Sequence, residues 1–316
     1  MLPTGAFVQS LIPLYMMLLI GFIGIKLRIL HTNTNQVVTQ LLLYITLPAL
    51  ILYSLNTSLS GDILIDFFWL ITMSLFNLST SIFVAAWLRK KSKLPGERKA
   101  VYESLIIFGN QGFIGFAIIF TLMEEQGIIY LTLFNICYLL LIWTYGIYLF
   151  TKNETRIKWK LLLLNPGILS TLIGLIVLFS PYRWPHLFVT TFESVGKMTI
   201  PLSMILIGGL LANIQWSELL QYSKNLYIWI AICFKLLLLP ALLFVFLLFQ
   251  VPYPLLIIAI LTAAMPSAST TSVYAQNFGG DVKFSSMGVL LSTLLCILTI
   301  PLLYSLLQWL FPLLNC

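Results

Sequence analysis

Residues 108–115 read Phe-Gly-Asn-Gln-Gly-Phe-Ile-Gly, so three glycines and two amide side chains interrupt an otherwise apolar stretch. Asn110 lies 11 residues after Lys99 and 14 residues before Glu124. At 1.5 Å per residue, a helix would carry Asn110 roughly 16 to 21 Å from each polar end, near the middle of a membrane. Polar groups at that depth need a partner or a cavity. The stretch therefore predicts an interrupted membrane helix.

A second interruption is predicted at residues 265–272, Met-Pro-Ser-Ala-Ser-Thr-Thr-Ser, where five hydroxyl side chains follow one proline. Pro266 removes a backbone donor and disfavours a helical conformation in the residue before it. Ser267 lies 14 residues before Asp281, the same spacing to an acidic residue as in the first interruption. Asn and Ser are preferred N-cap residues, so Asn110 and Ser267 are each predicted to start a half-helix.

Two half-helix N-termini that meet near the membrane midplane would each carry about +0.5 of an elementary charge and would favour an anion. The predicted substrate-binding residues are those of the two interruptions: Gly109, Asn110, Gln111, Gly112, Pro266, Ser267, Ser269 and Thr270. Small and hydroxyl residues are also ordinary in membrane helices, where they allow close packing. The matching depth of the two interruptions favours a site.

The apolar composition makes the bilayer the solvent of this chain. Hydrophobic residues are 60% and charged residues 9% of the 316 positions, and the mean hydropathy is +1.01. Ten stretches are long enough to cross a membrane as helices. Numbered 1 to 10, they run approximately over 5–26, 36–56, 64–88, 100–122, 128–151, 161–181, 196–213, 226–249, 254–276 and 285–310. The sequence thus predicts an all-α membrane protein.

Four residues of the first half recur with the same type 153 positions later, which indicates an internal duplication. The pairs are Pro13 and Pro166, Gly21 and Gly174, Thr46 and Thr199, and Pro48 and Pro201. Each half holds five predicted helices, and an odd number inverts the second copy relative to the first. We therefore expect two inverted five-helix repeats, residues 1–154 and 155–316, with helices 4 and 9 as broken crossing helices.

Charge predicts the orientation of the helices. The basic connections 1–2, 3–4 and 5–6 carry Lys26, Arg28, Arg89, Lys90, Lys91, Lys93, Arg98, Lys99, Lys152, Arg156, Lys158 and Lys160. Cytoplasmic loops are enriched in such residues, so both termini are expected outside. This bias also explains the net charge of +7, and we expect no nucleic-acid partner.

Four further residues are candidates for the coupling or the pathway of a transporter. Lys235 is the one charge deep within a predicted helix, which marks it as functional, although snorkelling or a backbone carbonyl partner also explains it. Glu103 lies one turn inside helix 4 and is either a titrating group or a wet interface residue. Tyr274 and Asn277 are predicted to line the pathway, but an aromatic belt also explains Tyr274. We find no metal-ligand spacing, cofactor motif or catalytic constellation, and we predict neither a cofactor nor an enzyme.

Four short motifs resemble those of the auxin efflux carrier family, most of all its bacterial members. They are Thr-Leu-Pro-Ala-Leu at 46–50, Phe-Gly-Asn-x-Gly-Phe-x-Gly at 108–115, Met-Pro-Ser-Ala at 265–268 and Tyr-Ala-x-x-Phe-Gly-Gly-Asp at 274–281. The resemblance covers essentially the whole chain. The long cytoplasmic loop of many plant carriers is missing here, and Gly109 stands where those carriers have a proline before the asparagine.

The resemblance implies a fold shared with bile acid/sodium symporters and sodium/proton antiporters. In that fold a panel of helices 1, 2, 6 and 7 supports a transport core of helices 3, 4, 5, 8, 9 and 10. It also implies a secondary transporter, a permease or an efflux carrier, that moves a small organic anion such as a carboxylate by alternating access at the crossing of helices 4 and 9. A bacterial inner or plasma membrane is the expected location, and homodimers occur in this family.

Two further readings stay open at this point. The same scaffold could act as a membrane ligand sensor or a passive channel. Coupling to protons, to sodium or to neither is equally open, with Glu103 and Lys235 as candidates for protons. Ser267, Ser269 and Thr270, together with unwound carbonyls, are the candidates for sodium. Our hypothesis is a carboxylate carrier with weak or proton-linked coupling.

Overall fold

A computed structural model describes residues 4–31, 33–56, 61–151, 166–213 and 216–314. In these residues the chain is almost entirely helical, and the one strand-like contact is a single antiparallel bridge between Gly109 and Ser267. By length and apolar composition, seven helical stretches of the described chain can cross a membrane. They are Gly5–Lys26, Thr34–Ser54, Leu64–Lys91, Gln111–Thr151, His186–Ala212, Leu226–Phe249 and Val282–Leu313. The prediction of a helical, multi-pass membrane protein is confirmed.

The helices have the following bounds, numbered here in chain order. In the first half they are α1 Thr4–Lys26, α2 Thr34–Leu41, α3 Leu47–Ser54, α4 Gly61–Lys91, α5 Gly96–Ile107, α6 Phe116–Trp143 and α7 Tyr145–Thr151. In the second half they are α8 Pro166–Phe179, α9 His186–Lys197, α10 Thr199–Ala212, α11 Trp216–Tyr222, α12 Leu226–Cys233, α13 Leu239–Leu242, α14 Tyr253–Ala263, α15 Thr270–Phe278 and α16 Val282–Leu314. Three π-helical segments, Leu42–Thr46, Gln111–Gly115 and Phe234–Leu238, and one 3-10 segment, Leu243–Phe249, lie between them.

The break predicted between helices 4 and 5 is present within α6, but the connection is shorter than the predicted bounds allow. The connection is a kink at Glu124, whose φ of 50° and ψ of −133° lie outside the helical region. A positive φ redirects the chain within a single residue, so two helical segments meet there without a loop. The acidic pair Glu124 and Glu125 marked a change of direction rather than a stretch of irregular chain.

The predicted connection at 181–195 is also wrong over most of its length. Helix α9 already begins at His186, directly after Pro185, and it ends at Lys197. Glu193, which the predicted bounds place in this connection, pairs with Lys197 one turn later in the helix, with 2.7 Å between Oε1 and Nζ. Such i,i+4 pairs stabilise a helix. Predicted helix 6 appears as α8, while its first residues, 161–165, lie outside the described part of the chain.

Two of the π-helical segments precede the same four residues, Leu-Pro-Ala-Leu, at 47–50 and at 239–242. Proline has no N–H, so the carbonyl four residues earlier loses its helical partner and the helix widens before it. In the second half this places Lys235 within the π-helical segment Phe234–Leu238.

Contacts divide the chain into two compact units. The first holds the described residues within Met1–Phe68, Gly112–Ile136 and Trp159–Ile214, and the second those within Trp69–Gln111, Cys137–Lys158 and Gln215–Cys316. In the second unit α5 is central, because residues 101–107 are all buried. It contacts α7, α12, α15 and α16.

In the first unit, glycines bring helix backbones together. Helix α1 packs along α10, and a Cβ on Gly21 would overlap the carbonyl group of Ile205, while one on Gly208 would overlap that of Leu18. Gly174 of α8 instead packs against the side chain of Leu55, whose Cδ1 would lie 2.6 Å from an added Cβ. Gly21 and Gly208 require glycine because a backbone carbonyl group occupies the space that a Cβ would need.

Candidate functional site

Both predicted helix interruptions are present in the second unit. Helix α5 ends at Ile107, and helical structure resumes at Gln111. Helix α14 ends at Ala263, and α15 begins at Thr270. The residues in between have the composition that ends a helix, a glycine in the first interruption and a proline in the second. The sequence-based prediction of two breaks agrees with these bounds.

The two interruptions bond to each other through their backbones. The Asn110 N–H donates to the carbonyl oxygen of Pro266 at 2.6 Å, and the Ala268 N–H donates to that of Phe108 at 3.0 Å. Gly109 and Ser267 stand opposite each other in this bridge. Irregular backbone at membrane depth requires such internal partners, because no water or lipid can replace them. The bridge thus explains how two breaks coexist in an apolar protein.

Side chains from neighbouring helices support the bridge. The Tyr138 hydroxyl of α6 donates to the carbonyl oxygen of Gly109 at 2.6 Å. The Ser267 hydroxyl donates to the carbonyl oxygen of Leu105 at 2.7 Å, and the Ser267 N–H donates to the hydroxyl of Ser292 at 3.0 Å. These bonds tie α5, α6 and α16 to the two interruptions.

The predicted N-cap role of Ser267 is therefore wrong. Its hydroxyl is bound to the end of α5, and α15 begins three residues later, with Ser269 at the N-cap position. The Ser269 side chain makes no capping hydrogen bond there. Asn110 directly precedes the helical residue Gln111, as predicted, and its backbone N–H belongs to the bridge.

Lys235 is buried beside the first interruption, with 2% of its surface exposed. Its Nζ lies 3.4 Å from the carbonyl oxygen of Ile107, the last residue of α5. A Cβ on Gly109 would lie 3.0 Å from the same Nζ. In the described part of the chain, Lys235 forms no ion pair with a carboxylate.

Three polar side-chain atoms next to the interruptions are buried without a hydrogen-bond partner: Oε1 of Gln111 and the hydroxyls of Thr262 and Thr270. Gln111 itself is only 1% exposed. An unpartnered polar group costs free energy when it is buried, so these atoms are suited to meet a polar ligand.

The second unit brings together most of the predicted binding residues: Gly109, Asn110, Gln111, Pro266, Ser267, Ser269 and Thr270. Gly112 falls in the first unit, where an added Cβ would meet only the Leu47 side chain, at 3.8 Å. The boundary between the units thus passes through the π-helical segment Gln111–Gly115.

The other three candidates have different surroundings. Glu103 is fully buried, and it accepts a hydrogen bond from Tyr145 at 2.8 Å and lies 2.9 Å from Nε of Arg89. Tyr274 is buried in α15 and donates to the carbonyl oxygen of Ile142 at 3.0 Å. Asn277 lies in the last turn of α15, and its side chain is outside the described part of the structure.

Sequence reasoning missed Tyr138 and Ser292. Each is a polar residue within an apolar helix, and that is the signal that was available. Their partners are 29 and 25 residues away in the chain, so no local pattern connects them to the interruptions.

Comparison with known proteins identifies the family. A family model described as membrane transport protein matches residues 6–160 and 154–304. The chain is also 22% identical over 295 residues to an uncharacterized transporter from Methanocaldococcus jannaschii, in an alignment that covers 90% of this chain and 94% of that protein. The helical membrane fold and the short motifs agree with both findings. The chain therefore belongs to the membrane transport protein family, the auxin efflux carrier-like family that its motifs predicted.

Proposed function

We propose that this transporter is a secondary carrier for a small organic anion of the carboxylate class, and that the anion binds at the paired interruptions. The observation that carries the proposal is the buried side chain of Lys235, which forms no ion pair in the described residues. Its Nζ would lie 3.0 Å from a Cβ on Gly109, a residue of the bridge. The carbonyl oxygen of Ile107 and the end of α5 offset only part of a buried positive charge, and an anionic substrate would supply the full counter-charge.

The polar groups of the interruptions support the same substrate class. Gln111 and Thr270 each begin a helical segment, and the N-terminal end of a helix attracts negative charge. The Thr270 hydroxyl has no partner and could donate a hydrogen bond to a carboxylate. The unpartnered atom of Gln111 is its Oε1 oxygen, an acceptor, so the Nε2 amide of that side chain would be the donor to the same carboxylate.

For the architecture, we propose ten transmembrane helices in two inverted repeats, residues 1–154 and 155–316. Gly21 and Gly174, which are 153 positions apart, support this: each packs against the second helix of the other repeat. We also propose a panel of helices 1, 2, 6 and 7 and a transport core of helices 3, 4, 5, 8, 9 and 10. The second unit, which holds most of helices 3, 8, 9 and 10, supports this division, whereas residues 112–136 of helices 4 and 5 belong to the first unit. In the proposed mechanism, the core moves as a body during alternating access.

We infer a bacterial inner or plasma membrane, both termini outside and no enzymatic activity, with a homodimer as one candidate assembly. Coupling is weak or proton-linked, with Glu103 and Lys235 as the candidate groups. Uptake that stays unchanged across a pH gradient, with an ionophore control, would remove the proton-linked part.

Counterflow in sealed proteoliposomes tests the function. Vesicles preloaded with mono-, di- or tricarboxylates should take up labelled acid of one class, because a carrier exchanges substrate across the membrane. Gln111→Leu keeps the size of the side chain and should abolish this exchange. Gln126→Leu, on the exposed surface of α6, is the matched control and should retain it.

Each contrary result would indicate a different function or a different binding site for this protein. Binding of a carboxylate without counterflow would favour a ligand sensor. Uptake that is not stimulated by preloading would favour a passive channel. Equal counterflow in Gln111→Leu and Gln126→Leu would show that the substrate does not bind at the interruptions.

A further inference from the structure

Lys235 places a cation at the end of a half-helix. The last carbonyl groups of a helix have no intrahelical partner, and the helix dipole gives that end about −0.5 of an elementary charge. Helix α5 ends at Ile107, whose carbonyl oxygen lies 3.4 Å from Nζ of Lys235. A basic side chain is favourable at such an end and unfavourable almost anywhere else inside an apolar protein.

Gly109 keeps open the space that the ammonium group fills. A Cβ at this position would lie 3.0 Å from Nζ and 3.1 Å from Cε of Lys235. It would also lie 3.3 Å from the carbonyl oxygen of Met265, a residue of the second interruption. A side chain at this position would therefore meet both the lysine and a carbonyl oxygen of the second interruption.

Carbonyl oxygens at the ends of broken helices are the groups that hold sodium ions in many secondary transporters. An ammonium group is likewise a compact, monovalent cation. In this chain the cationic group at the end of α5 is the side chain of Lys235 itself. No carboxylate of the described residues pairs with it.

We propose that the Lys235 ammonium group takes the place of a bound sodium ion at the end of α5, so that the protein needs no sodium for its stability or for transport. The statement about transport rests on the proposed function. The statement about stability does not, because it concerns the folded protein without substrate.

The test is thermal unfolding of the detergent-purified full chain without substrate, in sodium, choline or ethylammonium chloride at equal ionic strength. The wild-type protein should have the same Tm in all three salts. Lys235→Ala should have a lower Tm in choline, and sodium or ethylammonium should restore part of the loss by entering the vacated space. Lys224→Ala, which removes an exposed lysine, is the matched control and should match the wild type in every salt.

Two results would overturn the proposal: a wild-type Tm that rises with sodium, or a Lys235→Ala Tm that no small cation raises. Because no substrate is present, either result leaves the carboxylate proposal to its own counterflow experiment. Absence of carboxylate counterflow likewise leaves the cation result standing.

A second set of variants applies if Lys235→Ala does not fold. Gly109→Ala should lower the Tm of the wild-type protein, because its Cβ displaces the ammonium group. The same change in a Lys235→Met background should cost less, since the cation is no longer there to displace. Gly112→Ala, with only a 3.8 Å contact to Leu47, is the control. If Gly109→Ala lowers the Tm equally in both backgrounds, Gly109 does not keep space open for the Lys235 ammonium group.

Discussion

The hydroxyl of Tyr138 donates to the carbonyl oxygen of Gly109 over 2.6 Å, at the residue where the bridge joins the two helix interruptions. The tyrosine ring also packs edge-on against Phe108, with the ring centroids 6.0 Å apart. A single side chain of α6 thus holds both the backbone and the flank of the first interruption. At membrane depth there is no water to replace that bond.

Tyr138→Phe should weaken the bridge while it leaves the ring in place. The loss of one buried hydrogen bond costs about 1 kcal/mol, and the unpartnered Gly109 carbonyl adds to that cost. We expect a lower Tm in detergent and slower carboxylate counterflow. Tyr182→Phe is the control, because that side chain is 79% exposed. An unchanged Tm and rate in Tyr138→Phe would show that the bridge stands without the hydroxyl.

Gly208→Ala should destabilise the first unit. An added Cβ would overlap the carbonyl group of Leu18, so α1 and α10 would have to separate. Overpacking of this kind costs about 1 to 3 kcal/mol. Thermal unfolding measures the loss, with Gly5→Ala as the control, because nothing lies within 4 Å of a Cβ at Gly5. Equal stability of the two variants would contradict the close packing of α1 on α10.

Glu103→Gln should lower the free energy of unfolding. The carboxylate is fully buried, and its ion pair with Arg89 joins α4 to α5. Breaking a buried pair costs about 3 to 5 kcal/mol, and we expect the lower end or less because Arg89 keeps 25% of its side chain exposed. Unfolding in detergent measures the effect.

The exposed Glu97 supplies the matched control, as Glu97→Gln should leave stability unchanged. The pH dependence of counterflow in Glu103→Gln separates two roles of this residue. If the pH dependence is retained, the role of Glu103 is to stabilise the packing of α4 on α5. If the pH dependence is lost, Glu103 is the group that couples transport to protons.

The orientation of the chain can be tested with single cysteines in a background without native cysteines. Tyr182→Cys lies in the connection predicted to be outside, and Glu97→Cys lies in the one predicted to be cytoplasmic. In intact cells a membrane-impermeant maleimide should label only the first, and permeabilised cells should give both. The reverse labelling pattern would place the termini in the cytoplasm.

The two interruptions could be predicted because their causes are local. Glycines, amides and a proline in an apolar stretch disfavour a continuous helix wherever they occur, and both breaks lie where residues 108–115 and 265–272 indicated. The family could be predicted for the same reason, since its motifs are short and contiguous.

The partners within the site could not be predicted. Ser267 was expected to cap a helix, but the carbonyl oxygen of Leu105, 162 residues earlier in the chain, binds its hydroxyl instead. The contact of Lys235 with Ile107 spans 128 residues. Such contacts depend on how helices pack, and residue type alone does not specify the partner. Likewise, the predicted helix bounds leave connections around Glu124 and Glu193, where the structure has a one-residue kink and a helix.

The bridge between Gly109 and Ser267 also has a consequence for biogenesis. The Asn110 N–H and the Phe108 carbonyl bond to groups near residue 267, which a ribosome adds only after more than a hundred and fifty further residues. Until then, the first interruption stands in the bilayer with open backbone groups, each of which costs several kcal/mol in hydrocarbon. We therefore expect residues 108–110 to be part of a continuous helix, or covered by the insertion machinery, until residues 266–268 have entered the membrane.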